Sequence, residues 1–342
     1  MNLSQKRIRT LLIPVQVAVS LLILYLLFQN VNLSETYHAL SHINIPVLGL
    51  SIAFFILSSL SIGFALHGAL KATNAAPPLR ITQLANFGGQ LLSDVTPAKS
   101  GYFATPVLLN QLRAVPLEKG MISVMSVGAF NFFIKAAFST IALIYFLTRI
   151  NIDPTMVQAM LLGITLLLVG GIGLTVLVWT NCFSGLLQRL SKLPIIGILI
   201  RKLESLRATF SKDKVAIRKS AKTIIISILA SVLFSGISLY VLAQALSLAQ
   251  PTFLDMLFMG PLTAVFMYVP ITFAGLGLQE AAYVFLLTNI GAPLEIALPF
   301  ALLVRLLAVS TDLIGLPSLT KTSTGLLSKL NRKPVVAENS SL

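Results

Sequence analysis

The sequence predicts an all-α, polytopic membrane helix bundle with two re-entrant helical hairpins arranged as an inverted repeat. Three observations carry this expectation. Apolar residues make up 56% of the chain and charged residues 11%, at a mean hydropathy of +0.89, well beyond an ordinary soluble domain. Several apolar runs reach the roughly 18–20 residues that cross a bilayer core. Two further apolar regions, 82–112 and 253–291, are broken by Pro, Gly and charge, and their breaks echo one another.

Taken in order, the continuous spans fall at 11–29, 45–70, 120–148, 155–180, 221–248 and 294–319. Lys6, Arg7 and Arg9 before the first run resemble the start of a secretory signal. The run from Leu11 to Phe28 is long for a signal core and no small-x-small cleavage site follows it, so an uncleaved span is expected. The whole reads as one transmembrane domain over 1–320, with repeat halves at about 45–148 and 221–319. A basic connector at 183–220 joins them, and a cytoplasmic tail follows at 321–342.

Orientation follows from the basic residues. The loop at 30–44 carries Glu35 and no Lys or Arg, whereas Lys71 and Arg80 precede the first broken region and Arg113 and Lys119 follow it. A single crossing there would put the last two residues, and the ten Lys and Arg of 183–222, outside. A hairpin entering from the cytoplasm removes the conflict. Its first limb, 82–95, spans about 21 Å as a helix, short of a core of about 30 Å. That limb carries Gln83, Asn86, Gly88, Gly89, Gln90, Ser93 and Asp94, which must face protein or a wet cavity.

Within the connector, Leu199, Leu203, Leu206 and Phe210 recur at helical spacing among basic residues, which reads as a helix on the membrane surface. Lys321, Lys329, Arg332 and Lys333 after the last span place both termini in the cytoplasm of a cell-membrane protein. Region 253–291 then fits either two full crossings or one hairpin from outside; Pro261, Pro270, Gly275 and Gly277 favour the hairpin. VTPAKSG (95–101) aligns with ITFAGLG (271–277), sharing Thr96 with Thr272, Ala98 with Ala274, and Gly101 with Gly277. Opposed hairpins with matching tips fit a transporter in which substrate sits near the midplane between broken helices. Chance similarity between two kinked helices is the alternative.

Six charges remain inside apolar segments: Asp94, Lys99, Lys135, Glu280, Arg305 and Asp312. Each costs roughly 2.5–3.5 kcal/mol at a helix centre, so pairing or burial away from lipid is expected. Acids and bases that simply pair to hold the bundle are one reading. A polar site is the other, with Lys99, Lys135 and Arg305 on a phosphate and Asp94, Glu280 and Asp312 orienting them or contacting headgroup hydroxyls. With the tip residues Thr96, Gly101, Thr272, Gly275 and Gly277, these form the candidate substrate site. No nucleophile with a base, nucleotide-binding loop or metal-ligand spacing is evident, and His38, His42 and His67 share no ligand spacing; no catalysis, metal or cofactor is expected. The single Cys182 excludes an intrachain disulfide, and the basic surplus points to anionic lipid rather than nucleic acid.

PITFAGLGLQEAAYVFLLTNIG (270–291) followed by ALLVRLLAVSTDLIGLP (301–317), with SDVTPAKSGYFATPVLL (93–109) as a first segment, resembles the lysylphosphatidylglycerol synthase transmembrane-region family, the flippase-like membrane proteins. Gly275, Gly277, Glu280, Gly291 and Arg305 fall where the family pattern places them. The first segment departs from it: Tyr102 stands where an acid is usual and Thr105 near where an arginine is. Asn131 and apolar residues, with Lys135 nearby, replace a charged pair of the next span. The resemblance implies movement of an anionic lipid or lipid-linked headgroup between leaflets. About 23 residues follow the last span, so the aminoacyl-transfer domain of two-part synthases is expected to be absent. The alternatives are a transferase acting on polyprenyl-phosphate lipids with Asp94 or Glu280 as base, and a non-catalytic membrane partner of a separate glycosyltransferase or lipid-modifying enzyme.

Overall fold

The computed structural model describes residues 3–29, 31–179, 196–269 and 271–321. Among these are eleven α-helices and no strand: α1 (Leu3–Gln29), α2 (Leu33–Ser41), α3 (Ile45–Ala72), α4 (Leu79–Asp94), α5 (Thr105–Arg113), α6 (Leu117–Leu147), α7 (Pro154–Trp179), α8 (Ile196–Ala245), α9 (Phe253–Ala264), α10 (Leu278–Asn289) and α11 (Leu294–Asp312). Segments Ile45–Ala72, Leu117–Leu147, Pro154–Trp179, Val215–Ala245 and Leu294–Lys321 are long and apolar enough to cross a membrane. A sixth crossing arises if Pro14–Gln29 and Ser34–Ser41, bent by 92°, act as one.

Local chemistry sets the boundaries. Asn44 caps α3 by accepting from the Val47 amide at 3.2 Å. Pro116 and Pro293 precede α6 and α11, where their missing N–H costs nothing. Asp153 caps α7 through the Thr155 amide at 2.8 Å and the Thr155 hydroxyl. These two donors, the hydroxyl first, hold its exposed carboxyl below the usual aspartate range.

Three expectations change. The segment 30–44 is not simply a loop: Asn32 accepts from the amides of Ser34 and Glu35 and starts α2. An Asn cap followed by only nine residues is too short a signal for periodicity to detect. The second change concerns the connector, whose C-terminal part is not a separate surface helix. It runs unbroken into the following span as α8, fifty residues or about 75 Å, because no Pro or Gly falls within 198–235. Residues 180–195 of that connector, the side chains of its proposed apolar face and the tail from 322 lie outside the described residues. Finally, His38 and His42 stand one turn apart on α2 with Nε2 atoms 3.2 Å apart. Among the described residues no third His, Cys, Asp or Glu joins them to complete a metal site.

α3 and α8 form the spine of the bundle. Ser51 bonds the Ser238 carbonyl at 2.9 Å and receives the reciprocal bond at 2.8 Å. Two turns along, Ser58 bonds the Ser231 carbonyl at 2.9 Å. As 51 rises to 58 the partner falls from 238 to 231, so the helices are antiparallel. Serines at the contact let the backbones approach and leave no hydroxyl unpaired. The largest apolar cluster joins α6–α11 through Phe146, Met160, Leu239, Met259, Leu286 and Phe300. A second cluster, including Leu66, Ala85, Leu109 and Val124, joins α3–α6.

The broken regions resolve into short limbs. α4 is about 24 Å long, α9 and α10 about 18 Å each, and α5 about 14 Å, all less than a bilayer core. α4 crosses the 3-10 turn Leu313–Gly315 that follows α11 at backbone contact: a Cβ on Gly315 would lie 2.0 Å from the Gly88 nitrogen.

Candidate functional site

Each pair of limbs is joined by an irregular segment that contains 3-10 turns, and the two segments pack against each other. The first is a 3-10 segment, Pro97–Ala104, with Ala98 at φ 52°, ψ 30° and Lys99 at φ 57°, ψ 22°. The second includes Phe273–Gly275, with Ala274 at φ 52°, ψ 29° and Gly275 at φ 75°. Thr96 and Thr272 precede them in extended conformation. Ala98 and Ala274 thus share left-handed angles that each cost about 1–2 kcal/mol, whereas of the aligned glycines Gly277 is left-handed at φ 85° and Gly101 is not.

Each turn is stapled by its own polar atoms. Thr96 Oγ1 donates to the Leu92 carbonyl at 3.0 Å and accepts from the Gly101 amide at 2.7 Å. A Cβ on Gly101 would meet the Leu92 carbonyl oxygen at 2.3 Å. In the second turn the Gly277 amide, at φ 85°, donates to Glu280 Oε2 at 2.7 Å. The Phe273 amide donates to Ser20 Oγ of α1 at 3.0 Å.

Both turns hold an acid–base pair. Lys99 bonds Asp94, with side chains 17% and 3% exposed. Arg305 Nε bonds Glu280 Oε1 at 2.6 Å, with side chains 15% and 2% exposed, and Arg305 Nη1 donates to the Ala274 carbonyl at 3.3 Å. Arg305 and Asp312, two turns apart on α11, share a face toward the turns, and Asp312 lies beside Asp94 and Lys99. Lys135 of α6 donates to the Tyr268 hydroxyl at 3.4 Å and stands 5.7 Å from that ring's centroid.

Lys99, Lys135, Arg305 and Asp312 line one cavity of about 220 Å³, walled by α3, α4, α6, α8, α9, α10, α11 and the turns. Asp94 and Glu280 stand behind their cations. Thr96, Thr272, Gly101, Gly275 and Gly277 are not in its wall; their visible role is to shape the turns, although the buried Thr272 hydroxyl has no partner. Two donor features belong to residues of this wall. Arg305 Nη2 has no acceptor, and Lys135 is joined to no carboxylate among the described residues. An oxyanion supplies what both lack.

The sequence reading missed several wall residues. Tyr268 carried a signal, a polar aromatic two residues before Pro270 in a broken segment. Ser58, Ser59, Ser231 and Ser235 gave none, because serine in an apolar helix packs as readily as it binds. Asn131, Oδ1 unpaired, and Gln90 add polar groups to a wall that also holds aromatic Phe55, Phe132 and Tyr268.

A family model described as "Lysylphosphatidylglycerol synthase TM region" matches residues 13–314. No curated protein matches the chain.

Proposed function

Because the chain belongs to the lysylphosphatidylglycerol synthase transmembrane-region family, we propose that it is a flippase or lipid transporter that moves an anionic lipid or lipid-linked headgroup between leaflets. The observation that carries this is the unsatisfied cationic edge of a buried cavity. Arg305 Nη2 has no acceptor and Lys135 has no carboxylate among the described residues, in a wall with serine, Asn and Gln side chains suited to headgroup hydroxyls. A phosphate accepts from arginine's planar fork and from a lysine point charge. Its acyl chains would stay in lipid, so only the headgroup has to be desolvated.

Movement is by alternating access between two inverted halves, each a long helix, a re-entrant hairpin and a further helix. Limbs of 14–24 Å support re-entry, since none is long enough to cross alone. Matching left-handed alanines support the repeat. So do the serine contacts: a two-fold that carries Ser51 onto Ser231 carries Ser58 onto Ser238, exchanging the pairs. The positive-inside pattern supports an orientation with both termini in the cytoplasm. The polar groups of this site bind and orient; no nucleophile–base pair favours the transferase reading.

The test uses purified protein in liposomes with labelled phosphatidylglycerol or polyprenyl-phosphate sugars and reads headgroup accessibility on each side. Movement of one lipid that Arg305→Ala abolishes, with unfolding temperature retained, supports the assignment. Equal movement by Arg305→Ala overturns it.

A further inference from the structure

The two turns are held in different ways, and the difference leads to the first helix. In the first turn Pro97 opens the 3-10 segment, so that position has no amide hydrogen, and Thr96 Oγ1 accepts from the Gly101 amide at 2.7 Å. The second turn does not repeat this. Phe273 stands at the position aligned with Pro97 and carries a backbone N–H that needs an acceptor. The Thr272 hydroxyl is buried without a partner, and the Gly277 amide is taken by Glu280.

The acceptor comes from α1, which lies outside both proposed repeat halves. Ser20 is fully buried; its hydroxyl donates to the Gln16 carbonyl at 2.8 Å and accepts from the Phe273 amide at 3.0 Å. With its proton committed to Gln16, the oxygen offers the turn a lone pair. The seat is close, since a Cβ on Gly277 would lie 3.0 Å from both the Ser20 carbonyl oxygen and Ile23 Cβ.

This turn carries a cation of the cavity wall. Ala274, next to Phe273, presents its carbonyl to Arg305 Nη1 at 3.3 Å, and the Leu276 amide closes the turn on the Phe273 carbonyl at 2.9 Å. Ala274 is left-handed at φ 52°, a conformation that persists only where its surroundings hold it. Without the Ser20 oxygen the Phe273 N–H is left bare, and the backbone one residue from the anchor of Arg305 loses its hold.

We propose that Ser20 is a positioning residue: α1 clasps the second turn from outside the hairpin and, through the Ala274 carbonyl, fixes the guanidinium of Arg305 for the headgroup. The headgroup is taken from the lipid-transport reading, whereas the clasp is a property of the lipid-free protein.

Amide hydrogen exchange over residues 274–277 in purified, lipid-free protein tests the clasp. Ser20→Ala should speed exchange there severalfold. Adding Phe273→Pro, which copies Pro97, removes the amide left bare, and the extended Thr272 suits a residue before proline. The double variant should therefore exchange more slowly than Ser20→Ala alone. A helix that merely packs against the turn gives no such rescue, because deleting an amide restores no packing. Unchanged exchange in Ser20→Ala, or no slowing in the double variant, overturns the clasp.

The link to Arg305 is read in liposomes, with labelled phosphatidylglycerol and, separately, a labelled polyprenyl-phosphate sugar. Ser20→Ala should raise the half-saturating lipid fraction about 5-fold, the scale of one net hydrogen bond, at an unchanged maximal rate. The double variant should reverse that rise. An unchanged half-saturating fraction beside faster exchange overturns the link. If the unsubstituted protein moves neither lipid, the lipid-transport reading falls, and the link with it, while the exchange measurement still decides the clasp.

Discussion

At the scale of single residues, the site depends on which donors are free and which backbone angles are tolerated. Arg305 uses Nε on Glu280 and Nη1 on the Ala274 carbonyl, which leaves Nη2 for a ligand. Lysine keeps the charge but cannot hold the turn and a phosphate together. Arg305→Lys is therefore expected to lower lipid movement at least ~10-fold in the liposome assay, the rate equivalent of ~1.4 kcal/mol. Gly275 is a second sensitive point. At φ 75° it occupies the left-handed region, and an added Cβ would lie 2.8 Å from the Met267 Cα, a backbone atom that cannot swing aside. Gly275→Ala should destabilise by about 1–2 kcal/mol or more, read as a lower unfolding temperature in detergent.

At the scale of elements, helix ends and helix crossings decide geometry. The crossing of α4 with the end of α11 has no room for any side chain at Gly315. Gly315→Ala should force these elements apart, lower thermal stability and loosen Asp312 from Asp94, with loss of lipid movement in liposomes. Wild-type movement by this variant would show that the crossing does not position the site. The cap of α7 predicts a pH effect. Because hydrogen bonds from Thr155 hold the Asp153 carboxyl low in the folded state, its stabilisation is present above the unfolded aspartate value and is lost as pH falls through the folded value. Hydrogen exchange of the first turn of α7 should quicken on acidification through that window, and Asp153→Ala should show the faster exchange already at neutral pH.

At the scale of the molecule, the proposed inverted repeat makes a statement about sidedness. In a Cys182→Ala background, Tyr37→Cys of α2, 74% exposed, should react with an impermeant thiol reagent from the exterior. Lys321→Cys should react only from the cytoplasm. Labelling of both from one side would sink the proposed orientation and, with it, the opposed entry of the two hairpins.

Much of this architecture was legible in the chain. Five spans could be read because about twenty apolar residues in a row have few other stable homes. The likeness of the two turns was legible in part: Thr96 and Ala98 against Thr272 and Ala274 require only a count of positions. The fusion of the connector with the next span into α8 was not read, because charged and apolar stretches suit one helix as well as two. The start of α2 at Asn32 was equally hidden, since a single cap is a weak local preference.

The sequence by itself determined that this is a multi-pass membrane helix bundle with six charges that hydrocarbon cannot hold unaided, because burial costs depend on residue type and run length alone. Only the tertiary structure decided how those charges are shared: Asp94 with Lys99, Glu280 with Arg305, Lys135 beside Tyr268 and Asp312 beside Asp94. Pairing is a matter of ångströms between elements far apart in the chain. It is fixed by contacts such as Gly88 on Gly315 and Ser58 on Ser231, which follow from packing and not from spacing along the chain.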